Sequence, residues 1–295
     1  MVPDLATGDE RTLARGYGYV GSTNFSPDGS QIVFHTYFDN SYISGKADVF
    51  VVPSQGGKSV NITKDRDVWD YKPNWSWDGN WITFSLKRGT PNFNLWVMRP
   101  DGSDLRQITN VQGPIPYTST GEVSMSNQNP MDQRWSNWTK DGRIGWHQIN
   151  LQQGVLRAID MAGKVSNLFE SEFAIADLSL SPDGTTLAFE TDGEIYTVAA
   201  KPGSEAKRIA SGVTPRWSRD GKHITFRSSW GSRVGIVPAE GGEAQIVEAR
   251  PSSWPAGSSD ALAPDGKTMA VSTDTADVNQ SIVVVSEEAG SKTLV

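Results

Sequence analysis

The 295-residue chain contains no cysteine. This excludes thiol nucleophiles, disulfide frameworks and cysteine-ligated zinc sites, but it does not separate the cytoplasm from an oxidising compartment. Long apolar runs are lacking too: no stretch approaches the ~18 residues of a spanning helix, and no segment of signal-peptide type is seen. Basic residues are outnumbered, 27 Lys and Arg against 34 Asp and Glu, for a net charge of −7. Nucleic acid and anionic membrane surfaces both demand clustered cations, so neither is the expected partner, and no membrane insertion is expected. Histidine is scarce, with three copies, and no Gly-x-Ser-x-Gly nucleophile elbow occurs anywhere.

What the chain has in abundance is a repeat. Six short turns share one pattern: Ser26-Pro27-Asp28-Gly29, Ser76-Trp77-Asp78-Gly79, Thr139-Lys140-Asp141-Gly142, Ser181-Pro182-Asp183-Gly184, Ser218-Arg219-Asp220-Gly221 and Ala263-Pro264-Asp265-Gly266. From Asp to Asp the intervals are 50, 63, 42, 37 and 45 residues, the period of four-stranded propeller blades. Gly tolerates positive φ and Asp hydrogen-bonds its own turn, so each pattern predicts a hairpin. A half-buried strand follows each turn, such as Ile32-Val33-Phe34, Ile82-Thr83-Phe84 or Ile224-Thr225-Phe226, with apolar residues two apart on one sheet face. A third strand, a second Gly turn and a more polar fourth strand complete each copy. The predicted fold is therefore all-β: one domain over residues 1–295, a six-bladed β-propeller of four-stranded antiparallel blades. Residues near Arg11–Leu13 are expected to pair with the last blade and close the ring. Ser291–Val295 offers a rival fourth strand, so the segment reads as one cut from a longer protein.

The combination of Ser-Pro-Asp-Gly, Ile-x-Phe, Leu95-Trp96-Val97-Met98 and the run Asp101-Gly102-Ser103-Asp104-Leu105-Arg106-Gln107-Ile108-Thr109 resembles the propeller repeat of TolB-type proteins, over nearly the whole chain. The resemblance implies a periplasmic or secreted location, although the residues do not separate this from the cytoplasm. It leaves function open, since similar propellers serve as binding proteins, as polysaccharide lyases and as lids of prolyl-oligopeptidase-type peptidases. Sialidase-type Asp boxes are missing, and so is the ligand pattern of gluconolactonase-like propellers. Asn24, Asn74 and Asn137 read equally as turn or channel-wall residues. No cofactor is expected; a channel calcium ion on oxygen ligands would be compatible but has no motif behind it.

In an up-and-down blade the Asp-Gly turns lie on one face, and the links between blades share the other face with the loops between second and third strands. Six of the seven tyrosines fall on this link face, where gathered rings would mark a contact site. One residue per blade follows the second-strand aromatic, among them His35, His147, Glu190 and Arg227, and these should form a ring around the channel. With them the expected ligand-binding set comprises Tyr37, Trp69, Asp70, Lys72, Tyr117, Arg134, Trp135, Asp177, Arg216 and Trp230. The long link Asn110–Arg134 and the loop Thr36–Gly45 would wall one side of a groove. The reading is a monomeric recognition module that binds a peptide, protein or glycan, with catalysis undecided. Two alternatives stand beside it: a lyase using His35 or His147 as base, and a propeller severed from a larger peptidase or hydrolase.

Overall fold

The computed structural model describes residues 11–17, 20–37, 47–64, 69–88, 93–110, 136–149, 154–170, 177–201, 204–228, 234–247, 261–262, 268–273 and 280–286. Every regular element among them is a β-strand, and none of the described residues forms a helix long and apolar enough to cross a membrane. The first strand, β1 (Arg11–Tyr17), does not join its chain neighbours. After it come antiparallel meanders. β2 (Val20–Phe25), β3 (Gln31–Tyr37), β4 (Ala47–Pro53) and β5 (Val60–Asn61) form the first. A single parallel bridge, Ala47 to Trp69, joins it to β6 (Trp69–Trp75), β7 (Ile82–Lys87), β8 (Asn94–Met98) and β9 (Arg106–Gln107). Three four-stranded sheets succeed these. They are β10 (Ser136–Trp138), β11 (Ile144–Ile149), β12 (Gly154–Ile159) and β13 (Val165–Glu170); β14 (Asp177–Leu180), β15 (Thr186–Thr191), β16 (Glu194–Ala199) and β17 (Lys207–Ser211); and β18 (Val213–Trp217), β19 (His223–Arg227), β20 (Val234–Pro238) and β21 (Gln245–Val247). The last sheet holds β22 (Ala261–Leu262), β23 (Thr268–Thr273) and β24 (Gln280–Ser286), with β1 on the outer side of β24. Arg11 sits opposite Val284 and Thr12 opposite Val283, the pairing that the N-terminal residues lead one to expect.

The meanders stack face to face. Val33, Val49 and Val51 of the first pack with Trp75, Ile82, Phe84 and Met98 of the second. Leu95 and Val97 then meet Trp138, Ile144 and Ile159, and Ala188 and Ile195 meet Ile224, Phe226 and Val237. The repeat aromatics Phe34, Phe84 and Phe189 are fully enclosed in these layers. Burying each contributes roughly 1.5–3 kcal/mol. First strands converge on one another: β2 touches β6, β6 touches β10, β14 touches β18, and β2 also touches β22, β23 and β24 at the far end of the chain.

The turns take the predicted form. Gly29, Gly79, Gly142, Gly184 and Gly221 all have φ between 72° and 81°, where a Cβ would clash with the backbone. In the second turn the Ser76 hydroxyl donates to Asp78 Oδ1 (2.6 Å) and accepts from the Trp81 N–H (2.9 Å), while Asp78 accepts from the Asn80 N–H (3.0 Å). This closed set of bonds recurs around Asp28, Asp183 and Asp220, and around Asp141 with Thr139 in place of serine.

Candidate functional site

At the link-side end of the first two meanders four rings come together. His35, opposite Gly21 on β2 and Val49 on β4, is only 3% exposed, and its ring lies 5.1 Å from Tyr71 in an edge-on approach. Tyr71 in turn contacts Trp69 (5.5 Å) and Phe93 (5.5 Å), and Trp69 and Phe93 are 6.0 Å apart. Tyr71 and Phe93 are buried, so these rings belong to the layer between sheets; Trp69 is half-buried and forms the edge of the cluster that water reaches. Asp70, between Trp69 and Tyr71, points to the opposite face of β6 by strand alternation and is 1% exposed.

Lys72 follows at a β-bulge. Its φ is 56°, and the pairing of β6 with β7 shifts between Tyr71 and Asn74. Ser22 (φ 50°) in β2 and Thr214 (φ 54°) in β18 occupy the same repeat position, each in a register shift. A non-glycine residue held there costs on the order of 1–3 kcal/mol, most for β-branched Thr214. Such bulges can re-aim the side chains of a strand, and three of the first strands carry one. β14 has no shift, so Asp177 stands directly opposite Glu190.

The remaining expected residues lie on other strands. Glu190 is 8% exposed and its Oε1 accepts the Gly193 N–H (2.8 Å), bracing the hairpin between β15 and β16. Arg227 is equally buried, paired across β18 with Val213. Arg216 is half-buried and donates from Nη1 to the Pro215 carbonyl (2.7 Å). His147 lies opposite Leu156, and Tyr37 opposite Ala47, but their side chains, like that of Asp177, fall outside the described part. Tyr117, Arg134, Trp135 and Trp230 lie outside the described residues, as do the long link and most of the enlarged first loop. Among the described residues no cluster of three or more His, Asp or Glu side chains could hold a metal ion.

Two arrangements along the converging strands went unread in the residue pattern. The first is an amide ladder. Asn24 Nδ2 donates to Asn74 Oδ1 (2.9 Å), and Asn74 Nδ2 donates to Asn137 Oδ1 (2.9 Å), so three sheets are joined through one repeat position. The fourth and fifth sheets are joined close by, where Trp217 Nε1 donates to the Ser179 carbonyl (3.0 Å). The second is at the turn-side end. Arg219 Nη2 donates to the Ser76 carbonyl, 143 residues away (2.8 Å), and its guanidinium lies 4.6 Å from the centre of the Trp77 ring, which Lys140 Nζ also approaches (4.8 Å). Burial pushes the Arg219 pKa down to about 10, and the charges of Asp28 and Asp78 oppose that fall. It stays a cation at neutral pH.

No family model matches the chain. Two curated relatives are similar in sequence. Dipeptidyl-peptidase 5 of Porphyromonas endodontalis is 24% identical over 77% of this chain, and the uncharacterized peptidase YuxL of Bacillus subtilis is 23% identical over 71%. The matches span 38% and 29% of those proteins' own lengths. Among solved structures, a putative TolB from Agrobacterium tumefaciens superposes with a TM-score of 0.62 at 16% identity, covering 95% of this chain and 94% of that one. An oligogalacturonate lyase in complex with manganese gives 0.61 at 11% identity, covering 98% and 96%. These likenesses show the fold, a β-propeller.

Proposed function

We propose that the chain is a ring of six blades, closed by β1 on the last sheet, whose link-side mouth recognises peptide segments. Contact of β2 with β22, β23 and β24, together with the β1–β24 pairing, supports closure. The observation that carries the function is the Trp69 edge: a half-buried indole braced by Tyr71, Phe93 and His35, beside a bulge that re-aims Lys72. A pre-braced ring loses little freedom on binding and presents apolar area with a polar tip, which suits a side chain of a peptide. A peptide is favoured over a glycan by the two peptidase relatives, which align with most of this chain.

Those relatives support a second reading of the same mouth, as the propeller portion of a peptidase that selects and admits peptides to a hydrolase domain elsewhere. Of the two candidate bases of the lyase reading, His35 is enclosed against Tyr71, which leaves that reading to His147. We also place the protein in the periplasm or outside the cell, which cell fractionation would test.

An array of short random-sequence peptides tests the function. Selected peptides are expected to bind the intact chain and to lose roughly tenfold or more in affinity to Trp69→Ala, with the variant still folded by circular dichroism at the assay temperature. Binding that survives Trp69→Ala would overturn the assignment of the mouth. An ultraviolet enone signal on uronate polysaccharides would replace it with a lyase.

A further inference from the structure

The second residue of the six turns reads Pro27, Trp77, Lys140, Pro182, Arg219 and Pro264. Proline suits this position because its ring presets the φ that the first central residue of a tight turn adopts. The three turns that depart from proline supply the three side chains that stack on one another: Trp77 receives Lys140 and Arg219 on its ring. Around them the turns touch in chain order. The Cβ site of Gly79 lies 3.4 Å from Pro27, that of Gly184 lies 3.1 Å from Thr139, and that of Gly221 lies 3.7 Å from Pro182. The Lys140 N–H donates to the Pro182 carbonyl (2.6 Å). Arg219, from the fifth sheet, then passes over the gap to the second, with two whole sheets between them in the chain.

We propose that Arg219 is a cross-axis latch that seals the turn-side mouth, so that the propeller channel is blind and its amide-lined wall is reached only from the link side. A planar guanidinium is suited to this role, since it can lie against an indole and still donate to a carbonyl; an ammonium holds only a point contact. Asp28 and Asp78 offset the cost of burying its charge. Along that wall Asn24, Asn74 and Asn137 are joined side chain to side chain. A sealed channel admits the end of a chain and cannot be threaded. This last consequence rests on the peptide reading of the link-side mouth; the seal rests on these contacts and on the ring closure proposed above.

The absence of cysteine makes a direct test available. Single reporters Asn74→Cys, near the turn end of β6, and Lys72→Cys, at the bulge in the middle of that strand, are reacted with a bulky maleimide in the full chain, with folding checked by circular dichroism. Adding Arg219→Ala is expected to raise the rate at Asn74→Cys by about tenfold and to leave Lys72→Cys unchanged, with Arg219→Lys intermediate. Equal rates at Asn74→Cys with and without Arg219 would overturn the seal. If Arg219→Ala does not fold, the comparison with Arg219→Lys decides alone: an unchanged rate overturns the latch and a raised rate upholds it. No peptide enters the measurement, so failure here is distinct from failure of the peptide reading.

Discussion

At the scale of single residues, the turn aspartates do most to tie sequence to stability. The hydroxyl of Ser26 is the largest influence holding Asp28 below the ordinary aspartate value of 3.8. For Asp78, Asp141, Asp183 and Asp220 burial pushes upward most strongly of any single cause, yet the summed hydrogen bonds from neighbouring hydroxyls and N–H groups outweigh it and each ends below 3.8. A carboxylate lowered on folding contributes stability that is complete above its unfolded pKa and lost as pH falls through its folded one. The unfolding midpoint should therefore hold at mildly acidic pH and drop as pH falls below the ordinary aspartate value of 3.8. Replacing Asp78 and Asp183 with Asn should lower the midpoint at neutral pH and flatten that acid slope; a slope identical to that of the parent would show that these bonds do not couple to folding. The parts of Gly and Asp in the turns were legible in the residue pattern; the Ser or Thr hydroxyl that donates to each Asp was not read there. The roles of Trp77, Lys140 and Arg219 were not legible, because nothing along the chain says that turns so far apart will meet.

At the scale of the strand, alternation of apolar residues was enough to read second and third strands, since a period of two places one stripe on one sheet face. Inner strands were harder. Ser22, Lys72 and Thr214 sit at bulges with positive φ, and none is the glycine that would announce such a conformation. Tyr71 reads as a link-face ring yet packs between sheets, because the bulge begins only after it. Close fit between strands is testable at Gly235 of β20. A Cβ there would collide with the Phe226 ring of the same sheet. Gly235→Ala is expected to cost about 1–3 kcal/mol in urea unfolding, and pairing it with Phe226→Leu should recover part of the loss. An alanine without cost would mean that the ring shifts freely.

At the scale of the whole molecule, the strand farthest from its partner in the chain decides how the ends are held. β1 covers the outer side of β24, which would otherwise present an unpaired edge. A chain starting after Tyr17 should unfold at a lower temperature and associate with rising concentration in size-exclusion chromatography with light scattering; a monomer of unchanged stability would show that the pairing is dispensable. The residues alone determined the all-β class, the repeat, its turns and the N-terminal pairing, because these rest on local conformational preference and on a pattern copied along the chain. Only the tertiary structure decided which side chains share space. His35 is enclosed against Tyr71, the asparagines form a ladder, and Arg219 crosses to Ser76, because converging strands bring together positions that lie 36 to 143 residues apart in sequence.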